Sequence, residues 1–257
     1  MKSCAARALA AFVAVMVCFL FSGEAGATDL VKADLDTPVA DGIAQIGNKK
    51  YPLPPGEWTL VARTTRSVQV IGGISGGRTV SAILLYREGG ALRAGMVIAA
   101  TLDPFSALNW TTDGACDRKD LVYKQVLNRS PNLPECIYVN HIVNALRNTG
   151  DWANDAALWL ERHHVSVPAT VLSANYEDYQ SSGYVTLRIY INPEVSRQRP
   201  SSRPGWGEND WHKDRVENDP ARKEYLDKVI AWTRSLPGAY GPAFNRDTPA
   251  PIPALPD

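Results

Sequence analysis

Residues 184–191 alternate without a break: Val185, Leu187, Ile189 and Ile191 are aliphatic, with Tyr184, Thr186, Arg188 and Tyr190 between them. Side chains on a strand point to opposite faces with period two, so this segment commits the chain to a sheet with one apolar and one mixed face. The apolar face must be buried against another layer. Ser181-Ser182-Gly183 turns the segment back onto a second run, Val167 to Tyr176. Upstream, Thr79 to Arg87 and Leu92 to Leu102 flank Glu88-Gly89-Gly90-Ala91, a short glycine link of hairpin type. Both of these runs are apolar on both faces, which places their hairpin inside the sheet rather than at an edge. A first strand is expected from Glu57, where Trp58, Leu60 and Ala62 alternate with Thr59, Val61 and Arg63. Val68-Gln69-Val70 continues it after a break, and the glycine-rich segment 72–77 then turns.

Three helices are expected around these strands. Pro134 can open the first, with Val139, Ile142, Val143 and Leu146 at helical spacing and His141 on the exposed side. Asp151 is a good N-cap for the second, in which Trp152, Ala156, Trp159, Leu160 and His163 share a face. Asp219-Pro220 opens the third, whose stripe is Tyr225, Leu226, Val229, Ile230, Thr233 and Leu236 and which Pro237-Gly238 ends. Residues 28–56 read as a lead-in segment, and the prolines at 242, 249, 251, 253 and 256 predict a disordered Pro-rich C-terminal tail over 237–257. The fold class that follows is α+β: a mainly antiparallel sheet with hairpins and two or three packing helices, in a single domain over 57–236.

The N-terminus sets the compartment. Lys2 and Arg7 precede an apolar run of about 14 residues, Ala8 to Phe21, followed by Ala25-Gly26-Ala27. That order reads as a secretory signal cleaved between Ala27 and Thr28, giving a periplasmic or secreted protein that meets the membrane only through residues 1–27. The run is shorter than the ~20 residues that span a bilayer. An uncleaved N-terminal anchor helix is the alternative. Cleavage removes Cys4 and Cys18 and leaves Cys116 and Cys136, which can pair in one way only, as a structural disulfide in an oxidising compartment. With 27 basic and 27 acidic residues, the chain lacks the basic excess that nucleic-acid binding requires.

Chemistry-bearing residues concentrate in 192–218. This aperiodic stretch exceeds the ~12–15 residues at which structureless loops become uncommon without a functional reason. Within it, Trp206, Trp211, Arg203 and Arg215 belong to residue types enriched at recognition surfaces, and they are the candidate ligand or partner contacts. Asp210, His212 and Asp214 would share a face of an extended segment, so a general base held by an acid is a second possibility. The plainer reading makes the two indoles anchors that pin the loop. His163-His164 diverge around a helix, and no H-x-x-x-H or H-E-x-x-H spacing is present, so no metal or other cofactor is expected. There is no G-x-S-x-G elbow and no phosphate loop.

Leu53-Pro54-Pro55-Gly56-Glu57-Trp58, Asn192-Pro193-Glu194, Trp206-x-x-Asn209-Asp210-Trp211-His212 and Asp219-Pro220 together make the chain similar to exported bacterial proteins of uncharacterised function. The resemblance implies a bacterial envelope setting and no particular activity. Three functions stand at this point. The preferred one is a non-catalytic protein that binds a protein partner or small ligand in the cell envelope through the loop 193–218. The others are an envelope hydrolase or metal-assisted enzyme using His212 with Asp210 and Asp214, and an envelope structural or assembly factor whose tail reaches a neighbour.

Overall fold

The computed structural model describes residues 26–69, 75–103, 110, 114–147, 151–245 and 249–257. Residues 1–25 of the signal-like segment and residues 72–74 of the glycine turn expected at 72–77 lie outside them, while Ser75, Gly76 and Gly77 of that expected turn belong to a strand. Among the described residues the chain is α+β, with eleven strands and three helices. The large sheet takes the order β2-β5-β6-β7-β11-β10-β9-β8, with every pairing antiparallel. Its strands are β2 (Thr37–Pro38), β5 (Trp58–Gln69), β6 (Ser75–Glu88), β7 (Ala91–Thr101), β8 (Tyr123–Asn128), β9 (Glu135–Val143), β10 (Thr170–Gln180) and β11 (Gly183–Ile191). A smaller sheet holds β1 (Thr28–Asp29), β3 (Ile43–Ile46) and β4 (Lys49–Pro52).

The two hairpins form where the glycines sit. Gly89 and Gly90 both have positive φ, 57° and 81°, and close the β6–β7 turn. The expected interior position of that hairpin holds, since β6 and β7 are flanked by β5 and β11. At the β10–β11 turn Gly183 has φ 152°, and a Cβ there would lie 2.1 Å from the Thr101 hydroxyl. No other residue fits without moving β7.

Sheet alternation divides the apolar residues into two layers. Leu84, Met96, Leu187, Ile189, Leu172 and Val139 face a large core closed by the small sheet and the C-terminal helix α2 (Pro220–Thr233). The Asp219 side chain caps α2 by accepting the N–H groups of Ala221 and Arg222 at 3.1 and 3.3 Å. On the opposite face, α1 (Asn154–Arg162) covers Ile83, Leu85 and Val171 with Trp159 and Leu160. A separate small cluster, Cys116, Leu121, Cys136 and Tyr138, sits over β8 and β9.

Five expectations change. The third expected helix stops at Thr233, and Leu236 with Pro237-Gly238, expected as its last turn and its end, lie in a separate short helix. The segment expected as a helix from Pro134 is strand β9, and His141, expected at its surface, is buried. The aliphatic spacing there suits a helix by coincidence; pairing to β8 and β10 on both sides decides the outcome. The second helix begins at Asn154, with Asp151 accepting the Ala153 N–H before it. The lead-in 28–56 is structural: Leu30, Ala44, Ile46 and Tyr51 are fully buried in the large core. The Pro-rich tail is ordered rather than disordered. After α3 (Leu236–Tyr240), Ile252 and Leu255 enter the same core. The Trp232 indole N–H donates to the Pro253 carbonyl, and buried Arg93 pairs with Asp257 and with the Pro256 carbonyl. Residues 249–257 form neither helix nor strand, as their prolines dictate, yet an extended chain with apolar residues three apart can still pack.

Cys116 and Cys136 form a disulfide across a separation of 20 residues. Replacing both by alanine is expected to lower stability by about 3 kcal/mol, the loop-entropy value for such a closure. Urea midpoints of the oxidised wild type and the double variant check it, and coincident midpoints would refute it.

Candidate functional site

On the second face of the large sheet, between the α1 layer and the disulfide cluster, the register lines up two rows of polar residues. Tyr138, Asn175 and Arg188 are ladder partners across β9, β10 and β11, and Asn140, Ser173 and Tyr190 form the next row on that face. Arg118 and, from the long loop, Trp206 complete the walls of a cavity of about 180 Å³. The loop reaches this point because Asn209 donates to Thr170 Oγ1 at 2.9 Å, and because Asp210 takes the Ser202 N–H at 2.8 Å and pairs with the buried Arg222 at 3.1 Å.

The groups in this window are unevenly satisfied. Burial works against the charge on Arg188, but electrostatic attraction to the hydroxyl groups of Tyr190 and Tyr138, with hydrogen bonding to them second, outweighs it and holds the guanidinium above its ordinary value. Tyr138 in turn donates to Glu177 at 2.9 Å. Arg188 makes no ion pair with a carboxylate among the described residues. Asn175 Nδ2 donates to Ser173 Oγ at 2.6 Å, while its buried Oδ1 has no partner among the described residues. Asn140 Oδ1 accepts the His141 N–H at 3.0 Å, which fixes the amide and leaves Nδ2 as its donor end.

Trp206 forms the outer wall. Its ring stacks on His141 at 5.1 Å and 18° and meets the edge of His212 at 4.9 Å. Its carbonyl accepts a hydrogen bond from His141 Nε2 at 2.9 Å, so His141 carries its proton there. Burial, followed by the nearby His212, pushes the His141 pKa down against that bond. The indole is 36% exposed and remains open to a ligand.

The other sequence candidates disperse. Trp211 is 1% exposed within the large core, as an anchor of the loop. Arg203 is exposed and Arg215 half-buried, and neither lines the cavity. His212 Nδ1 lies 3.5 Å from Asp214 but already accepts the Asp214 N–H at 3.3 Å. Asp210 points away to Ser202 and Arg222, so the three groups do not enclose one reaction space. Glu177 lies within 4.8 Å of both cysteine sulfurs. Their S–S bond leaves that trio a single metal ligand.

Asn140, Ser173, Asn175 and Arg188 were not candidates in the sequence. The available signal was polar residues at alternate positions, Ser173, Asn175 and Glu177, with Leu172, Ala174 and Tyr176 between them. A larger hollow of about 740 Å³ lies between Pro52–Gly56 and Pro249–Ile252, lined chiefly by proline and aliphatic side chains. Asp41, Asn48 and Lys50 are the polar side chains in its lining.

Among the described residues no helix is long and apolar enough to cross a membrane. Comparison with protein-family models, with curated proteins and with solved structures finds no match.

Proposed function

We propose that this chain is an exported, non-catalytic binding protein of the bacterial envelope, and that its ligand occupies the polar window between Trp206 and Arg188. The observation that carries this reading is the cavity itself, about 180 Å³, in which an exposed indole, a guanidinium and two amides converge without being fully engaged by one another. Sites of drug size measure about 300–1,000 Å³, so this one suits a small molecule or one terminal group of a larger one. Export rests on residues 1–27, and the Cys116–Cys136 bond accords with an oxidising compartment. The engagement of Asp210 by Arg222 and Ser202 weighs against acid–base chemistry at His212.

The test uses protein purified from the cell envelope, whose mass should start at Thr28. The deproteinised small-molecule fraction of the same envelope is expected to raise its Tm and to change its indole fluorescence. Trp206→Ala, which folds normally on the argument given in the Discussion, should lose most of both responses. A wild-type protein that responds in neither signal would end the binding reading. A chain still carrying Met1 in the membrane fraction would replace export by anchoring.

A further inference from the structure

We propose that the window takes a small monocarboxylate, its carboxylate on Arg188 and Asn140 and its apolar body on the Trp206 indole, a ligand class that rests on the binding function proposed above. The first ground is a contrast among the arginines. Arg93 and Arg222, both buried, have Asp257 and Asp210 as carboxylate partners. Arg118 is held in a fork by Asp120 at 2.9 and 2.7 Å. Arg188, only partly exposed, has two phenols and no carboxylate among the described residues. A guanidinium removed from water favours an anion beside it, and its planar donors match a carboxylate in bidentate geometry.

The neighbouring groups add donors. Asn140 Nδ2 makes no hydrogen bond among the described residues, because His141 holds only the oxygen end of that amide. Ser173 Oγ accepts from Asn175, which leaves its own O–H to donate. Its row neighbour Asn140 and the diagonal Arg188 thus share with it one small patch of a single sheet face. An anion is the complement of such a patch.

Charge and size then narrow the anion. Asp120 already answers Arg118, so a single guanidinium is open in the cavity wall. A phosphate group carries about −1.5 to −2 at neutral pH and would exceed it, whereas a carboxylate matches it. One face of the indole is occupied by the stacked His141, and Trp206 as a residue is still 36% exposed. A flat apolar body on its open side completes the fit.

The probe is sodium benzoate, titrated into the mature protein beside acetate, inorganic phosphate, glucose and sodium chloride at matched ionic strength. Benzoate should bind, quench the Trp206 fluorescence and give magnetisation transfer between its ring protons and that indole. Acetate should bind more weakly. Arg188→Gln and Asn140→Ala should each weaken benzoate at least ten-fold while retaining the wild-type circular dichroism. Acetyl-Gly-Phe tighter than benzoate, with its amide inactive, would assign the same carboxylate seat to peptide ends. Phosphate or glucose binding in place of benzoate overturns the ligand class, as does benzoate binding that is indifferent to Arg188→Gln. If none of the probes binds, the class falls too. The binding function survives that failure if the envelope fraction still raises Tm, and falls with it if the fraction is inert.

Discussion

Replacing Trp211 by alanine is expected to cost about 3–5 kcal/mol of folding free energy, the usual range when a large buried aromatic side chain is removed. The same change at Trp206, five positions earlier in the same loop, should cost no more than about 1 kcal/mol. Trp211 is 1% exposed and packs with Val216, Leu226 and Val229 in the large core. Tyr225 meets its ring edge-on at 6.1 Å and the Arg222 guanidinium lies 5.3 Å from its centroid. Alanine would leave a cavity that α2 cannot close, because the same helix is held by its Asp219 cap and by the Arg222–Asp210 pair. Trp206 is partly exposed and its ring meets only the His141 and His212 rings among the described residues, and the hydrogen bond from His141 reaches its backbone carbonyl, which alanine keeps. Urea unfolding of the two variants measures the difference. Equal shifts in midpoint would mean that the loop is not anchored as described.

Asp178→Asn is expected to stabilise the protein by up to about 3 kcal/mol at neutral pH and by less than about 1 kcal/mol at pH 4. Asp178 is buried at the end of β10, opposite Glu135 in the ladder. Burial first, and the Glu135 carboxylate second, raise its pKa to about 6. The single phenolic proton of Tyr176 is offered to both carboxylates, at 3.1 and 3.2 Å, and Gln180 adds one donor at 3.1 Å. The folded state therefore keeps a proton that the unfolded state has already released. Stability falls as pH rises from the ordinary aspartate range to about 6, and the penalty is fully present above it. A shift of about two units corresponds to about 3 kcal/mol. The amide carries no charge to bury, so wild type and variant should converge in acid. Unfolding free energies of both proteins at pH 4 and pH 7.5 check the sign. Parallel pH curves would remove Asp178 as the source.

What could be read from the sequence follows from how each residue is covered. Strand β11 was legible because its two faces differ, aliphatic toward the large core and mixed toward the other side. Helix α2 was legible from Asp219-Pro220 and its stripe. Strand β9 was not, since residues 136–141 are all buried and a strand covered on both faces carries no period to read. The tail misled for a different reason: proline density reports which elements cannot form, not whether an extended chain packs. The candidate window was the least legible part. Each of its polar residues looks ordinary on its own strand, and only the register of β9, β10 and β11 makes Asn140, Asn175 and Arg188 neighbours. Trp206 was visible because its residue type is distinctive, whereas its separation from Trp211 into wall and anchor depends on tertiary packing.

The order of elements along the chain has a consequence for biosynthesis. All eight strands of the large sheet precede residue 192, while α2 and the packed strap at 249–257, which complete the large core, follow residue 219. At synthesis rates of about 5–20 residues per second, the apolar side chains of β9 and β10 wait on the order of several seconds for their cover. During that interval the growing chain cannot close its core, and a bare sheet face is open to any holding factor. If the chain is exported, as proposed above, a translocation machine that needs an unfolded substrate is thereby given time to engage it.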